Sequence, residues 1–407
     1  MAFRQKILDY VKSGETNKEN LGLEIEHFII NSDGEQIPFD VVTALIENVA
    51  NKLGADIHYI DGFPSGYFTD EYCVTLEPSC QFEISINPYS DIPKIEKIYA
   101  DFISTWEPLF SEKGYNILAK GVLPSVEYEK ITPDDIPLSP KKRYKYMDEY
   151  FRKSGHYGKY MMRASASTQV SVDYKSEQDL VKKLQVLQKI SPILSIMMEN
   201  KSDESTTLPG AKDKPHLLRI QEWDDLDPSR TGFYPDSLGS DFGYEKIADV
   251  IYKTPLILLT DKGETTGVGD NSAEKLEAAG TISIDDNDKT RNNQLVEHFM
   301  SMGFFHFRIK KYIEIRVADS VPIKKALGYT ALLKGLVYSD FNLNLLDKEL
   351  ACVDSLCKIQ SVIEKIEKAG KDAIIYNKKT ASEWAAKLVD LARDVLPENE
   401  KEYLKYV

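Results

Sequence analysis

Acidic and amide residues set inside strand-like apolar segments constrain this chain more than any other feature of its sequence. In residues 21–30, Leu-Gly-Leu-Glu-Ile-Glu-His-Phe-Ile-Ile, Glu24 and Glu26 alternate with Leu23, Ile25 and His27. Strand side chains point to opposite faces in turn, so both carboxylates share one face and the mostly apolar partners share the other. The pattern recurs three times. Glu77, Gln81 and Glu83 accompany Phe82 and Ile84; Gln169, Ser171 and Asp173 alternate with Val170 and Val172; Glu314 and Arg316 alternate with Ile313, Ile315 and Val317. For one strand the ordinary explanation is the solvent face of a half-exposed antiparallel sheet. Four strands that each carry short acidic or amide groups, rather than the Lys, Thr and Arg mixture of a surface, point to an inward charged face. Adjacent glutamates repel unless a cation lies between them. Such a face therefore implies a hard divalent metal, and Mg²⁺ takes oxygen ligands and keeps company with phosphates. It would be a nucleotide site without a glycine-rich loop, since the sequence contains neither a P-loop nor a Gly-x-Gly-x-x-Gly run.

The rest of the composition narrows the partners. With 407 residues, 42% of them apolar, the chain can bury a large core or divide into two lobes sharing one. Lys+Arg at 51 against Asp+Glu at 65 gives a net charge of -14, which argues against nucleic acid or an anionic membrane as partner, because phosphate contacts need a cationic surface. No charged-then-apolar leader pattern and no apolar run near 18 residues is seen, so the cytoplasm is the expected compartment. Cys73, Cys80, Cys352 and Cys357 form no Cys-x-x-Cys pair and read as reduced thiols. His27, His58, His156, His216, His298 and His306 are too scattered for structural zinc.

Helix-like and strand-like signals alternate without a fixed-period repeat, which gives an α+β class. Strands are expected at 21–30, 74–87, 117–122, 164–174, 217–222 and 312–318. Helices are expected at 39–53, 93–112, 176–198, 294–302 and 322–336. Loops are expected at 128–142, 199–216 and 261–293, the last long enough to be functional or disordered. Residues 1–346 are expected to form the catalytic body, and 347–407 a segment of two or three amphipathic helices packed on it. In the last of these, Thr380 and Glu383 form a capping-box pattern ahead of Trp384, Leu388, Leu391 and Val395.

Six ordered segments resemble the signatures of the plant-type glutamate-cysteine ligases. They are Gly-Leu-Glu-Ile-Glu at 22–26, Leu-Glu-Pro-Ser-Cys-Gln-Phe-Glu-Ile-Ser at 76–85, the pair Met161 and Met162, Thr-Gln-Val-Ser-Val-Asp at 168–173, Trp-Asp-Asp-Leu-Asp-Pro-Ser-Arg-Thr-Gly at 223–232, and Tyr-Ile-Glu-Ile-Arg-Val-Ala-Asp at 312–319. Shorter echoes at Arg143–Tyr144 and in Phe-His-Phe-Arg-Ile-Lys at 305–310 extend the similarity across roughly residues 20–340. The resemblance implies a glutamine-synthetase-like fold, in which a curved, mostly antiparallel sheet forms a funnel flanked by helices. It also implies a reaction: ATP phosphorylates the γ-carboxylate of glutamate, and the amine of cysteine attacks the acyl phosphate to give γ-glutamylcysteine.

Carried over by position, Glu24, Glu26, Glu77, Glu83 and Glu314 match ligands of two or three Mg²⁺ ions, with Gln169 able to face the metals. Arg316 matches the arginine at the transferred phosphate, while Arg143 and Arg219 match arginines that hold glutamate; Trp223 joins them on the substrate side. A planar guanidinium suits a carboxylate or phosphate because its fork binds both oxygens. For Arg230 the choice lies between a substrate contact and a structural bond inside an Asp-rich turn. No residue identifies itself as the base for the incoming amine. The expected assembly is a monomer or homodimer, with glutamate, cysteine and ATP as its partners. Two departures leave the substrates open between glutamate with cysteine and the same chemistry with another amine or another acid: the family's His-Ile-Trp reads Gln221-Glu222-Trp223, and its paired glycines read Ser79-Cys80, both expected close to substrate. A guanidino kinase, a class with a related catalytic fold, and a catalytically degenerate ligase are further alternatives. The kinase would stop at phosphorylation, and the degenerate ligase would lack metal ligands.

Overall fold

In the computed structural model, which describes residues 2–127 and 129–407, the alternating segments pair into one sheet. Tyr128, where one expected loop begins, lies outside the described residues. The strands are β1 (Leu21–Ile30), β2 (Asp56–Ile60), β3 (Phe63–Phe68), β4 (Tyr72–Leu76), β5 (Phe82–Tyr89), β6 (Asn116–Leu118), β7 (Ser167–Val172), β8 (Pro255–Asp261), β9 (Glu264–Ser272), β10 (Phe307–Ile309) and β11 (Ile313–Asp319). Nine of them form the sheet in the order β10-β11-β7-β1-β5-β4-β3-β2, with β6 on the far end of β1, and all these pairings are antiparallel. β8 and β9 form a separate hairpin.

One face of the sheet is apolar because alternation puts Leu23, Ile25, Phe82, Ile84, Val170, Val172, Ile313 and Ile315 there, all of them fully buried. Helices Ile92–Glu112, Glu177–Met197 and Ile323–Val337 cover it. Phe82 packs against Phe102, Trp106 and Phe110 at ring-centroid distances of 5.9, 4.5 and 5.2 Å, and each such buried side chain contributes roughly 1.5–3 kcal/mol. His27 belongs to this dry face, its Nδ1 at 3.1 Å from the Phe82 carbonyl and its Nε2 at 2.8 Å from the Tyr99 hydroxyl. Burial lowers its pKa to about 4, so the ring is neutral. With one face sealed by helices, the charged face is left for a site.

Several expected elements differ in the structure. The 74–87 strand is two strands, β4 and β5, because Glu77 N–H donates to the Gln81 carbonyl and Cys80 N–H to that of Glu77, folding the chain back. The 117–122 strand is only the short β6, and the 164–174 strand begins after a helix, Gly158–Ala164. The 217–222 strand is a helix, Leu218–Asp224, entered through Leu217 in the left-handed region at φ 58°. Six residues with three apolar side chains are too few for periodicity to separate helix from strand. The 261–293 loop contains β9 and two helices, Ala273–Ala278 and Lys289–Ser301, which begins five residues before the expected 294. Two hairpins had a signal in the sequence. Asp61–Gly62 and Lys262–Gly263 carry φ values of 51° and 86°, and 52° and 80°, the double left-handed turn that joins β2 to β3 and β8 to β9.

The C-terminal segment holds helices Leu356–Ala369 and Ala381–Val395, with the Thr380 and Glu383 capping box formed. Trp384 and Leu388 are buried in the main apolar cluster, whereas Val395 is exposed. Polar bonds tie the segment down: Asn342 Nδ2 donates to the Leu391 carbonyl (2.8 Å), and Tyr376 O–H to that of Lys189 (2.8 Å).

Candidate active site

Register brings the charged residues of separate strands side by side. Glu26 on β1 faces Glu83 on β5, Glu24 faces Gln169 on β7, Glu83 faces Thr75 on β4, and Glu314 on β11 lies between Ser171 on β7 and Arg308 on β10. Directly opposed antiparallel residues hold their Cβ atoms about 4.5–5.5 Å apart. The result is a continuous polar and charged stripe across six neighbouring strands. It floors a cavity of about 360 Å³ that contains Glu24, Glu26, Glu77, Glu83, Gln169 and Arg316, six of the residues singled out from sequence. Helix Lys142–Ser154 roofs it with Arg143, Tyr144 and Met147. That helix is anchored where it starts, since buried Lys141 donates to the Leu76 carbonyl at 2.7 Å and Tyr144 O–H to the same oxygen at 3.1 Å. A second cavity, about 290 Å³, shares Glu24, Cys73 and Ser85 with the first, so Glu24 stands at their junction.

The two ends of the stripe carry opposite charge. On the β1–β5–β4 side Glu24, Glu26, Glu77 and Glu83 form no ion pair with Lys, Arg or His among the described residues. Their bonds are to neutral donors: Thr75 O–H (2.9 Å) and Ser85 O–H (3.0 Å) to Glu83, and Ser167 N–H (2.6 Å) and Gln169 Nε2 (3.2 Å) to Glu26. Burial and the neighbouring carboxylates push Glu83, Glu26 and Glu24 up. Glu83 stands well above the ordinary range through burial and the charges of Glu24, Glu77 and Glu26; Glu26 rises to about 7 through burial and Glu77; Glu24 rises through burial and Glu314. On the β10–β11 side Glu314 is fully buried, which pushes its pKa up, but Arg308, Lys310 and Arg316 overcome this and hold it well below the ordinary range. Arg308 Nε lies 2.6 Å from it, Lys310 Nζ 2.9 Å and Arg316 Nη1 3.0 Å.

Arg316 sits where the β7–β11 pairing breaks register between Ile315 and Ala318, a bulge that re-aims a side chain. Its guanidinium donates to Gln169 Oε1 and lies 5.6 Å from the centre of the Trp223 ring. Because 218–224 is helical, Arg219 and Trp223 are one turn apart and meet, the guanidinium 5.8 Å from the ring. Trp223 lines the cavity with its Nε1 unpartnered, and so does Arg143 with its Nε unpartnered.

Three expected site residues lie outside the cavity lining. Glu314 is shielded by its three cations rather than open to the cavity. Arg219 is buried behind Trp223, giving Nη1 to the Arg316 carbonyl at 3.0 Å. Arg230, weighed above as a substrate contact, is structural. It is fully buried, bonded to Asp227 at 2.7 Å and to the carbonyls of Pro255 (2.6 Å) and Met302 (3.3 Å), which leaves it nothing to offer a substrate in the cavity. The two departures expected beside substrate also sit back from it. Ser79, Cys80, Gln221 and Glu222 line none of the cavity, and Cys80 keeps a left-handed φ of 63°, the conformation glycine accepts freely. Arg308, Lys310, Met147, Ser301 and Phe304 line the cavity without having been singled out. Arg308 and Lys310 alternate with Phe307 and Ile309, the same period-two signal that marked Glu314 and Arg316.

Carboxylate oxygens in this number suit a hard divalent cation. Among the described residues no three cavity carboxylates gather their oxygens within 4.8 Å of one another, whereas Glu199, Glu204 and His216 do so elsewhere. The wall is therefore not a closed shell for one ion.

The profile of glutamate-cysteine ligase family 2 matches residues 20–404. Glutamate-cysteine ligase B of Oryza sativa subsp. japonica is 27% identical over 352 residues, covering 84% of this chain and 67% of the relative. The Arabidopsis thaliana enzyme is 25% identical over 347 residues, covering 84% and 64%. The chain thus spans about two-thirds of the length of these relatives, both named as chloroplastic, which lends nothing to the expected cytoplasmic location. Among solved structures, a glutamate-cysteine ligase from Francisella tularensis in complex with AMP superimposes with a TM-score of 0.53 at 13% identity, covering 96% of this chain and 81% of that one, a likeness of fold. The chain belongs to glutamate-cysteine ligase family 2 and is an enzyme of the ligase class.

Proposed function

We propose that the protein uses ATP to join the γ-carboxylate of glutamate to the amine of cysteine, giving γ-glutamylcysteine, ADP and phosphate. The observation that carries this is the two-signed cavity: four carboxylates without cationic partners at one end and three cations at the other. A ligand that satisfies both ends is a polyphosphate with divalent metal. Glu24, Glu26, Glu77 and Glu83 would hold two or three Mg²⁺, and Glu314 would join them. Bound there, Mg²⁺ supplies charge neutralisation for phosphoryl transfer.

The nucleotide enters from the smaller cavity, so that its terminal phosphate reaches the junction at Glu24. Glutamate lies on the other side, where Arg143 and the Trp223 N–H have unpartnered donors for its carboxylates. A γ-carboxylate oxygen attacks the γ-phosphorus, the bond to ADP breaks, and Arg316 stabilises the charge on the transferred group. The cysteine nitrogen then attacks the acyl carbon and phosphate departs. The amine proton passes to the departing phosphate or to a carboxylate of the wall. Because Ser79, Cys80, Gln221 and Glu222 sit behind the cavity lining, cysteine is favoured over a different amine.

The test is ADP release with Mg²⁺, ATP and glutamate, adding each amino acid in turn. Cysteine should give the fastest release and a γ-glutamyl product. Release with another amine and none with cysteine would replace the acceptor, and phosphorylation without an amide would turn the assignment to a kinase. Arg316→Ala should depress turnover and spare glutamate binding, and Arg143→Ala should do the reverse.

A further inference from the structure

We infer that Arg308 and Lys310, which pair with Glu314, are positioning residues for the nucleotide's polyphosphate and turn from that carboxylate to the β- and γ-phosphate oxygens. The inference rests on the nucleotide reading above and adds to it two residues and a hand-over. Arg308, Lys310 and Arg316 bring three positive charges to the single negative charge of Glu314, and all three line the cavity. One carboxylate does not need three cations. The excess belongs to a ligand carrying several negative charges, and one guanidinium at Arg316 is too little for a triphosphate.

The placement also fits. Arg308 on β10 lies directly across from Glu314 on β11, Lys310 in the turn after β10 reaches the same carboxylate, and both line the cavity that Glu24 joins to the smaller one. Only the Nε of Arg308 bonds Glu314, so its two terminal nitrogens are left to reach an oxyanion. Lys310, by contrast, is held by Glu314 at 2.9 Å and by the Tyr312 hydroxyl at 3.4 Å. Tyr312 in turn lines the smaller cavity. Glu314 would be among the residues that hold Mg²⁺, and Arg308 and Lys310 would then be free to pair with phosphate oxygens instead.

The experiment is calorimetric binding of AMP, ADP and a non-hydrolysable ATP analogue, each with Mg²⁺, to the full chain and to Arg308→Met and Lys310→Met, with thermal melting as the folding control. The expected result is a loss of about tenfold or more in affinity for ADP and the ATP analogue per cation removed, as for a charge-assisted hydrogen bond. AMP and glutamate affinities should stay unchanged, and Lys310→Arg should recover most of the loss. To separate this role from support of Glu314, Lys310→Met is repeated in a Glu314→Gln background, where the loss should persist. Equal loss for AMP and the ATP analogue, disappearance of the effect in that background, or unchanged affinity in both variants would each overturn the inference. If the parent protein binds none of the three nucleotides, the nucleotide reading itself fails, which is a different result from a parent that binds and variants that bind equally well.

Discussion

Glu83 and Glu314 are both buried glutamates on one stripe of the sheet, yet one is pushed up in pKa and the other held down. Glu83 faces Glu26 across the β1–β5 pairing and has only hydroxyl donors, whereas Glu314 faces Arg308 and is flanked by Lys310 and Arg316. Burial treats both alike, so the difference comes from neighbours. It teaches that the carboxylate at the β10–β11 end is satisfied by the chain itself, while the β1–β5–β4 end is built at a cost to stability and needs a cation from outside.

The largest expected effect is on turnover. Glu83→Gln and Glu314→Gln should each lower ADP formation by about a hundredfold to a thousandfold, the scale of losing a group that positions transition-state charge. Their stabilities should then part. Glu83→Gln should melt higher than the parent, since it removes a repelling charge, by about 1 kcal/mol. Glu314→Gln should melt lower, by on the order of 3 kcal/mol, because three cations lose their buried partner. If both variants melt alike, the contrast between the two ends is wrong.

Next is metal. Saturating Mg²⁺ at a hundred times its dissociation constant should stabilise the parent by about 2.7 kcal/mol per ion bound to the folded state. That gain should shrink in Glu83→Gln, as read by melting temperature against Mg²⁺ concentration.

The two ends should also respond to pH with opposite sign when metal is absent. Glu26 binds its proton more tightly folded, at about 7, than at its ordinary 4.5. Its contribution is therefore favourable below 4.5 and is lost as pH rises to about 7. Glu314 is held below 4.5, so its contribution is present above that value and is lost as pH falls. The melting difference between the parent and Glu26→Gln should therefore turn against the parent from about pH 4.5 to 7, and that between the parent and Glu314→Gln should turn in the parent's favour as pH rises in the acid range. A flat difference for either variant removes that residue from the account.

The smallest effect lies in the turn between Glu77 and Glu83. Cys80→Gly should change stability by less than about 1 kcal/mol, since relief of the left-handed strain offsets the greater freedom glycine brings to the unfolded chain. Cys80→Val, β-branched in the same conformation, should destabilise and disturb Glu83.

Much of this was legible in the sequence because a strand's alternation is a short-range signal. Glu24, Glu26 and Glu83 could be assigned to one face without knowing which strands pair. What alternation does not carry is the third dimension. Whether a polar residue on that face meets the cavity or another side chain depends on what packs over it, and so Glu314 sits under a clamp of cations and Arg230 is locked between Asp227 and two carbonyls. Residues 217–222 were misread for a related reason. The left-handed Leu217 that starts the helix is fixed by tertiary contacts such as Leu217 N–H to Glu199 Oε1 at 2.6 Å, which no local pattern reveals. The strand order, with β1 in the middle, also depends on long connections whose course is set by packing.

The indole of Trp223 rests against two guanidiniums and opens onto the cavity. The other two tryptophans, Trp106 and Trp384, are buried and line neither cavity of the site. The protein therefore carries its own optical probe: ultraviolet-excited emission that responds to bound amino acid or nucleotide should come from a single ring, and a Trp223→Phe variant would silence it while the other two emitters continue to report folding.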